Sequence, residues 1–126
     1  MKLEYITLES GDAKRNSSKK PESINTNIAM VNVAADGDNL MVNFEFTATY
    51  APDESYIRLI GIARFSGKEA RNAAQEWAKT KRITGKEGEL IVNSINYAAS
   101  INGVLMAKVF NMTPPLILPT LTLAGK

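Results

Sequence analysis

Residues 40–50, Leu-Met-Val-Asn-Phe-Glu-Phe-Thr-Ala-Thr-Tyr, alternate without a break. Leu40, Val42, Phe44, Phe46, Ala48 and Tyr50 fall on one face, and Asn43, Glu45, Thr47 and Thr49 on the other. A period of two with one greasy and one wet side is a strand buried on a single face. That pattern calls for an antiparallel sheet with a cover on one side. The Asp-Gly pair at 36–37 is a tight-turn signal, so 24–33 and 40–50 are predicted to form a hairpin. A second turn signal, Ala-Pro-Asp-Glu-Ser at 51–55, leads into a strand at 56–65. Its one face is Ile57, Leu59, Ala63 and Phe65; the other mixes Tyr56, Arg58 and Arg64 with Ile60 and Ile62, which need a cover or a partner. Residues 3–9 supply a further strand, and the polar stretch to Ser23 reads as a loop.

The second half changes period. Ser66 with Glu69, and Thr84 with Glu87, have the spacing of capping boxes, in which the hydroxyl accepts from an amide and the carboxylate reaches back. They start predicted helices at 67–83 and 86–112. Ala70, Ala73, Ala74, Trp77 and Ala78 make the first buried stripe, with Trp77 as a core anchor. In the second, one stripe runs Ile91, Ile95, Ala98, Asn102, Leu105 and Val109, but apolar residues spread around the rest. Between Leu90 and Phe110 the only charge is Lys108. A helix apolar nearly all round is covered on more than one side, and one sheet covers one side only. The expectation is a homo-oligomer, dimer or tetramer, with this helix between layers. Gly103, inside the helix, reads as a place where another backbone approaches closely, such as a partner helix.

With 126 residues the chain is expected to form one domain, 1–126. It has no cysteine and no histidine. Disulfides and thiolate zinc sites are excluded, and the usual general base and metal ligand are missing. Its carboxylates sit mostly in turns and at helix starts, where turn chemistry and capping explain them; Glu45 reads as a solvated strand residue. Neither an enzyme nor a cofactor is expected. The first residues lack the apolar core of a signal peptide, and no run approaches the roughly 20 apolar residues of a membrane span, so a cytoplasmic, uninserted protein is expected. The net charge of +2 names no nucleic-acid partner. Two basic segments, 14–20 and 79–82, read as a solvated loop and a helix C-terminal turn. The alternative they leave open is a nucleic-acid-binding or scaffold protein.

Residues 111–123, Asn-Met-Thr-Pro-Pro-Leu-Ile-Leu-Pro-Thr-Leu-Thr-Leu, carry three prolines and no charge. Proline lacks an N–H and resists helix, so Asn111–Thr113 end the long helix and the chain continues extended. Burying each of Leu116, Ile117, Leu118, Leu121 and Leu123 is worth about 1.5–3 kcal/mol, so this strip is expected to lie along apolar surface. It either closes the core or walls a groove suited to extended apolar peptide.

Asn-Phe-Glu-Phe-Thr-Ala-Thr-Tyr-Ala-Pro-Asp-Glu-Ser-Tyr-Ile-Arg-Leu-Ile-Gly-Ile-Ala-Arg-Phe-Ser-Gly, 43–67, resembles the paired central strands and acidic turn of the SecB export-chaperone family. Residues 95–123 resemble that family's long helix, its proline-rich break and the apolar segment beyond. The resemblance covers Tyr5 to Leu123 and lies in the order of elements. It implies an α+β fold, a four-stranded antiparallel sheet followed by two helices, with dimers pairing into a tetramer. It also implies an ATP-independent holdase for unfolded or precursor polypeptide. The residues expected to meet a client are Tyr56, Ile60, Ile62, Leu116, Ile117 and Leu118. Two features depart from the family. Like its shorter archaeal relatives, residues 1–126 show no counterpart of the last helix, whose roles in client and SecA-motor contact are not carried over. The charge is slightly basic where the family is acidic.

Overall fold

In the computed structural model, which describes residues 1–115, four strands precede two helices. The strands are β1 (Lys2–Lys14), β2 (Ser23–Asp36), β3 (Asn39–Ala51) and β4 (Tyr56–Ser66). They form one antiparallel sheet in the order β1-β4-β3-β2. The expected α+β class and sheet-then-helix order are therefore present. The Asp-Gly signal makes the β2–β3 hairpin: Asp36 pairs with Asn39, and Gly37 takes a φ of +63°, which glycine adopts without penalty.

The alternation in β3 sets the layers. Leu40, Val42, Phe44, Phe46 and Ala48 are fully buried, and Tyr50 nearly so. On β4, Ile57, Leu59, Ala63 and Phe65 share that face and are buried too. The helices α1 (Ala70–Thr80) and α2 (Gly85–Val109) pack on it, α1 over β2 and β3, α2 chiefly over β4 and β1.

β1 is longer than its sequence suggests, running to Lys14 through a segment that reads as loop. Gly11 pairs with Leu59, and the Leu59 and Met106 side chains close over it at 3.0 and 3.1 Å from where a Cβ would stand. Neighbours distant in sequence, not local propensity, extend this strand. Two register shifts, at Leu3/Tyr5 and Leu8/Ser10, absorb its irregular pattern.

Both helices are shorter than predicted, and neither capping box forms. Glu69 is the N-cap of α1; its carboxylate takes the Met1 ammonium at 2.9 Å, which holds its pKa below the ordinary value, while the Ser66 hydroxyl donates to Glu4. Thr84 does cap α2 in extended conformation, yet its hydroxyl donates to Glu76 at 2.6 Å and the Glu76 carboxylate also accepts the Thr84 amide at 3.1 Å. In each case a carboxylate brought near by the fold is the better acceptor.

Trp77 is buried with Ala70 and Ala73, as expected, but Ala74 is half-covered and Ala78 exposed. On α2 the buried stripe is Gly88, Ile91, Ile95, Ala99, Gly103 and Ala107, with Ser100 beside it. Leu105 and Val109, placed in that stripe by sequence, are exposed instead. Small residues win the sheet side because they let the helix axis come close. At Gly103 the close approach is intramolecular: Pro115 and Phe46 lie 3.2 and 3.4 Å from where a Cβ would stand. The 25 residues of α2 are also long and apolar enough to cross a membrane by length and composition, which corrects the expectation that no run comes near that limit; core helices of soluble proteins pass the same test.

Candidate functional site

Among the described residues, two apolar surfaces bear on function. The first begins where α2 ends. Asn111 adopts a left-handed φ of +54°, its amide donates to Lys108, and the Met112 amide donates to Ala107. These paired bonds are a Schellman stop, with asparagine in the place glycine usually takes. The chain then doubles back along the β3 flank of α2. The Tyr50 hydroxyl donates to the Thr113 carbonyl, and Pro115 is buried beside Gly103 and Phe46.

Beside this path lies the inner face of β2. Ile24 pairs with Tyr50, Ile28 with Phe46 and Met30 with Phe44, and all three are only half-buried. They form an apolar shelf next to the point where the chain leaves Pro115. At the shelf's Tyr50 end a cavity of about 160 Å³ is lined by Arg15, Lys19, Lys20 and Asn111–Thr113 among others. The Asn16 amide donates to the Ser55 hydroxyl at 2.9 Å and holds this basic loop against the 51–55 turn.

Burial pushes the Tyr50 phenol up to about 12 from its ordinary 10. The folded chain therefore holds this proton more tightly than the unfolded chain does. The stability this contributes is whole below pH 10 and is lost as pH rises through about 12. Tyr50→Phe should cost about 0.5–1.5 kcal/mol at neutral pH, the net worth of one hydrogen bond. It should also flatten the stability loss between pH 10 and 12. Urea titrations of both chains across that range check this; equal losses would show that another group titrates.

The second surface is the outer side of α2. Tyr97, Ile101, Leu105 and Val109 are 63, 47, 59 and 74% exposed, and Leu90 continues the stripe. Tyr97, Ile101, Leu105 and Val109 recur every fourth residue, so they form one continuous apolar stripe that winds slowly round the outer face of α2.

Tyr56, Ile60 and Ile62 lie elsewhere, on the sheet face turned away from the helices. Each is half-buried between polar strand neighbours: Tyr56 between Lys14 and Thr49, Ile60 between Ser10 and Glu45, Ile62 between Thr7 and Asn43. Arg58 is paired with Asp12 at 3.1 Å on the same face. Leu116, Ile117 and Leu118 lie outside the described residues, but Pro115, which precedes them, is on the inner side. The shelf of Ile24, Ile28 and Met30 was missed. Its signal was available in the Ile-x-Thr-x-Ile-x-Met alternation of β2, which was read only as half of a hairpin.

No family model, curated protein or solved structure matches the chain.

Proposed function

We propose that the chain is a SecB-like, ATP-independent chaperone or peptide-binding module that holds unfolded or precursor polypeptide on an apolar surface and works as a homo-oligomer. The observation that carries this reading is the pair of apolar surfaces left uncovered, the outer side of α2 and the inner face of β2. The outer stripe of α2 suits a second copy, since Tyr97, Ile101, Leu105 and Val109 leave one continuous helix face apolar and uncovered. The β2 shelf suits an extended apolar segment, because Ile24, Ile28 and Met30 line up along one strand and stay partly uncovered. Ile60 and Ile62 supply only two apolar residues among polar ones, so the shelf and the strip at Leu116–Leu118 are the better client surface. On this reading the protein works in the cytoplasm, is not an enzyme, needs no cofactor and does not enter a membrane.

The test is light scattering from a denatured client diluted into buffer without nucleotide. Stoichiometric excess of the chain should suppress aggregation. Ile28→Asp with Met30→Asp should abolish most of that protection, and Ile60→Asp with Ile62→Asp should leave most of it. Absence of protection by the unaltered chain would sink the proposal.

A second reading, nucleic-acid binding through 14–20 and 79–82, draws support from the cations gathered at the cavity, Arg15, Lys19 and Lys20. It requires binding that weakens steeply with salt, and a slope made shallower by neutralising Lys79, Lys81 and Arg82.

A further inference from the structure

The cations that follow β1 are held in place by the fold. β1, charged at Lys2, Glu4, Glu9, Asp12 and Lys14, delivers the chain to the 51–55 turn. There the Asn16 amide donates to the Ser55 hydroxyl at 2.9 Å, and the Asn16 side chain donates to the Asp53 carbonyl at 3.0 Å. The Lys19 amide donates to the Ser17 hydroxyl at 3.0 Å, which closes a short local turn. Two anchors and a turn fix Arg15, Lys19 and Lys20 around the cavity of about 160 Å³ at the Tyr50 end of the sheet.

Nothing among the described residues neutralises these cations. The ion pairs there use Arg58, Arg64, Arg71 and the Met1 ammonium. Asp53 is the one carboxylate lining the cavity, and it already accepts the Ser55 amide at 2.9 Å. α2 ends beside the cavity, where exposed carbonyls would repel an anion. Three of them are taken: Met106, Lys108 and Ala107 accept from the amides of Phe110, Asn111 and Met112. Ser55 is 3% exposed. Its oxygen accepts from Asn16, and among the described residues its own proton meets no acceptor. Unpaired cations with a buried hydroxyl donor are the chemistry of an oxyanion site.

The placement argues for a single anionic group. A nucleic-acid backbone needs a continuous basic stripe. Residues 79–82 precede the first turn of α2, whereas this cavity lies past its last. The 25 residues of α2 put about 37 Å between the two basic segments. Next to the cavity a second one, of about 350 Å³, shares Lys19 and Lys20 and adds Glu22 and Pro52. It has room for the body of a small molecule whose charged end sits in the first.

We propose that the cavity binds one phosphate group, either free or as the monoester of a small molecule. Arg15 offers a two-pronged contact, Lys19 and Lys20 offer point charges, and Ser55 a hydroxyl donor. The site depends neither on chaperone activity nor on an oligomer.

The test is titration of the ¹⁵N-labelled chain with inorganic phosphate and, separately, with glycerol phosphate, at an ionic strength held constant with chloride. Amide shifts should saturate and centre on residues 15–20 and 53–55. Lys19→Gln with Lys20→Gln should weaken binding by about tenfold or more. Lys79→Gln with Lys81→Gln should leave it unchanged. Whichever ligand binds more tightly, saturation supports the site and the order names its source. Shifts that rise without saturating would show charge screening alone and overturn the proposal. So would undiminished binding by Lys19→Gln with Lys20→Gln. A single-stranded oligonucleotide is the third arm. Binding by it alone, with shifts that reach residues 79–82, would give these cations to nucleic acid and overturn the single-phosphate site. Client protection is read separately by scattering, so failure of either idea leaves the other standing.

Discussion

Gly88→Ala should cost about 3 kcal/mol or more and leave the chain marginally folded. A Cβ at Gly88 would overlap the backbone carbonyl of Ile83, in the segment that joins α1 to α2. Overpacking against a flexible side chain typically costs 1–3 kcal/mol, but a backbone carbonyl cannot rotate aside. Relief would require α2 to lift at its first turn, uncovering Ile83 and Ile91, which are buried now. Against a total stability of about 5–15 kcal/mol, that is a large fraction. Urea unfolding measures it as a lower midpoint with an unchanged slope. Gly37→Ala is the control. Its φ is +63° with nothing within 4 Å of a Cβ, so only the left-handed conformation is penalised, by about 1–2 kcal/mol. Equal losses at the two glycines would show that steric overlap at Gly88 is not what matters.

The second large effect concerns assembly. Ile101→Glu with Leu105→Glu should convert the proposed oligomer to single chains while leaving the fold intact. Both side chains face outward, so glutamate there is solvated in a lone chain. Between two copies each carboxylate would be buried without a partner, at about 3–5 kcal/mol. Tenfold in affinity is 1.4 kcal/mol, so self-association should weaken by at least about a hundredfold. An antiparallel pairing centred near Tyr97 brings Lys108 of each copy toward Glu87 of the other, so Glu87→Lys should weaken the pair more gently. Sedimentation reads the mass, and circular dichroism checks the fold. If the unaltered chain already sediments as one chain at tens of micromolar, about the range of weak association, the oligomer reading fails.

The sheet was legible wherever a residue's own strand carried the information. β3 announces its buried face at every second position, and Gly37 announces its turn. What escaped was set by partners distant in sequence. β1 continues through Gly11 because Leu59 and Met106 cover it, and neither residue is near it in the chain. The capping spacings at Ser66 and Thr84 were real as spacings, but Glu4 and Glu76 reached those hydroxyls instead. On α2, sequence ranks Leu105 and Val109 as core by hydrophobicity. The fold ranks Ala99, Gly103 and Ala107 higher, because closeness to Phe46 favours small side chains. Alternation correctly separates Ile60 and Ile62 from Leu59 and Ala63. Which face the helices cover, and so which face the chain returns to after Thr113, is fixed only in three dimensions.

The strand order also separates the order of synthesis from the order of pairing. β2, β3 and β4 follow one another through short turns and can zip together as they emerge. β1 emerges first, yet its partner is β4. The smallest loop that pairing closes is about 40 residues, and closing it costs more chain entropy than either hairpin. β1 must therefore wait, unpaired, until β4 begins to emerge at Tyr56. Its charges spend that interval in solvent at no cost, and the strand most exposed during synthesis is the one least able to pair with a neighbour's.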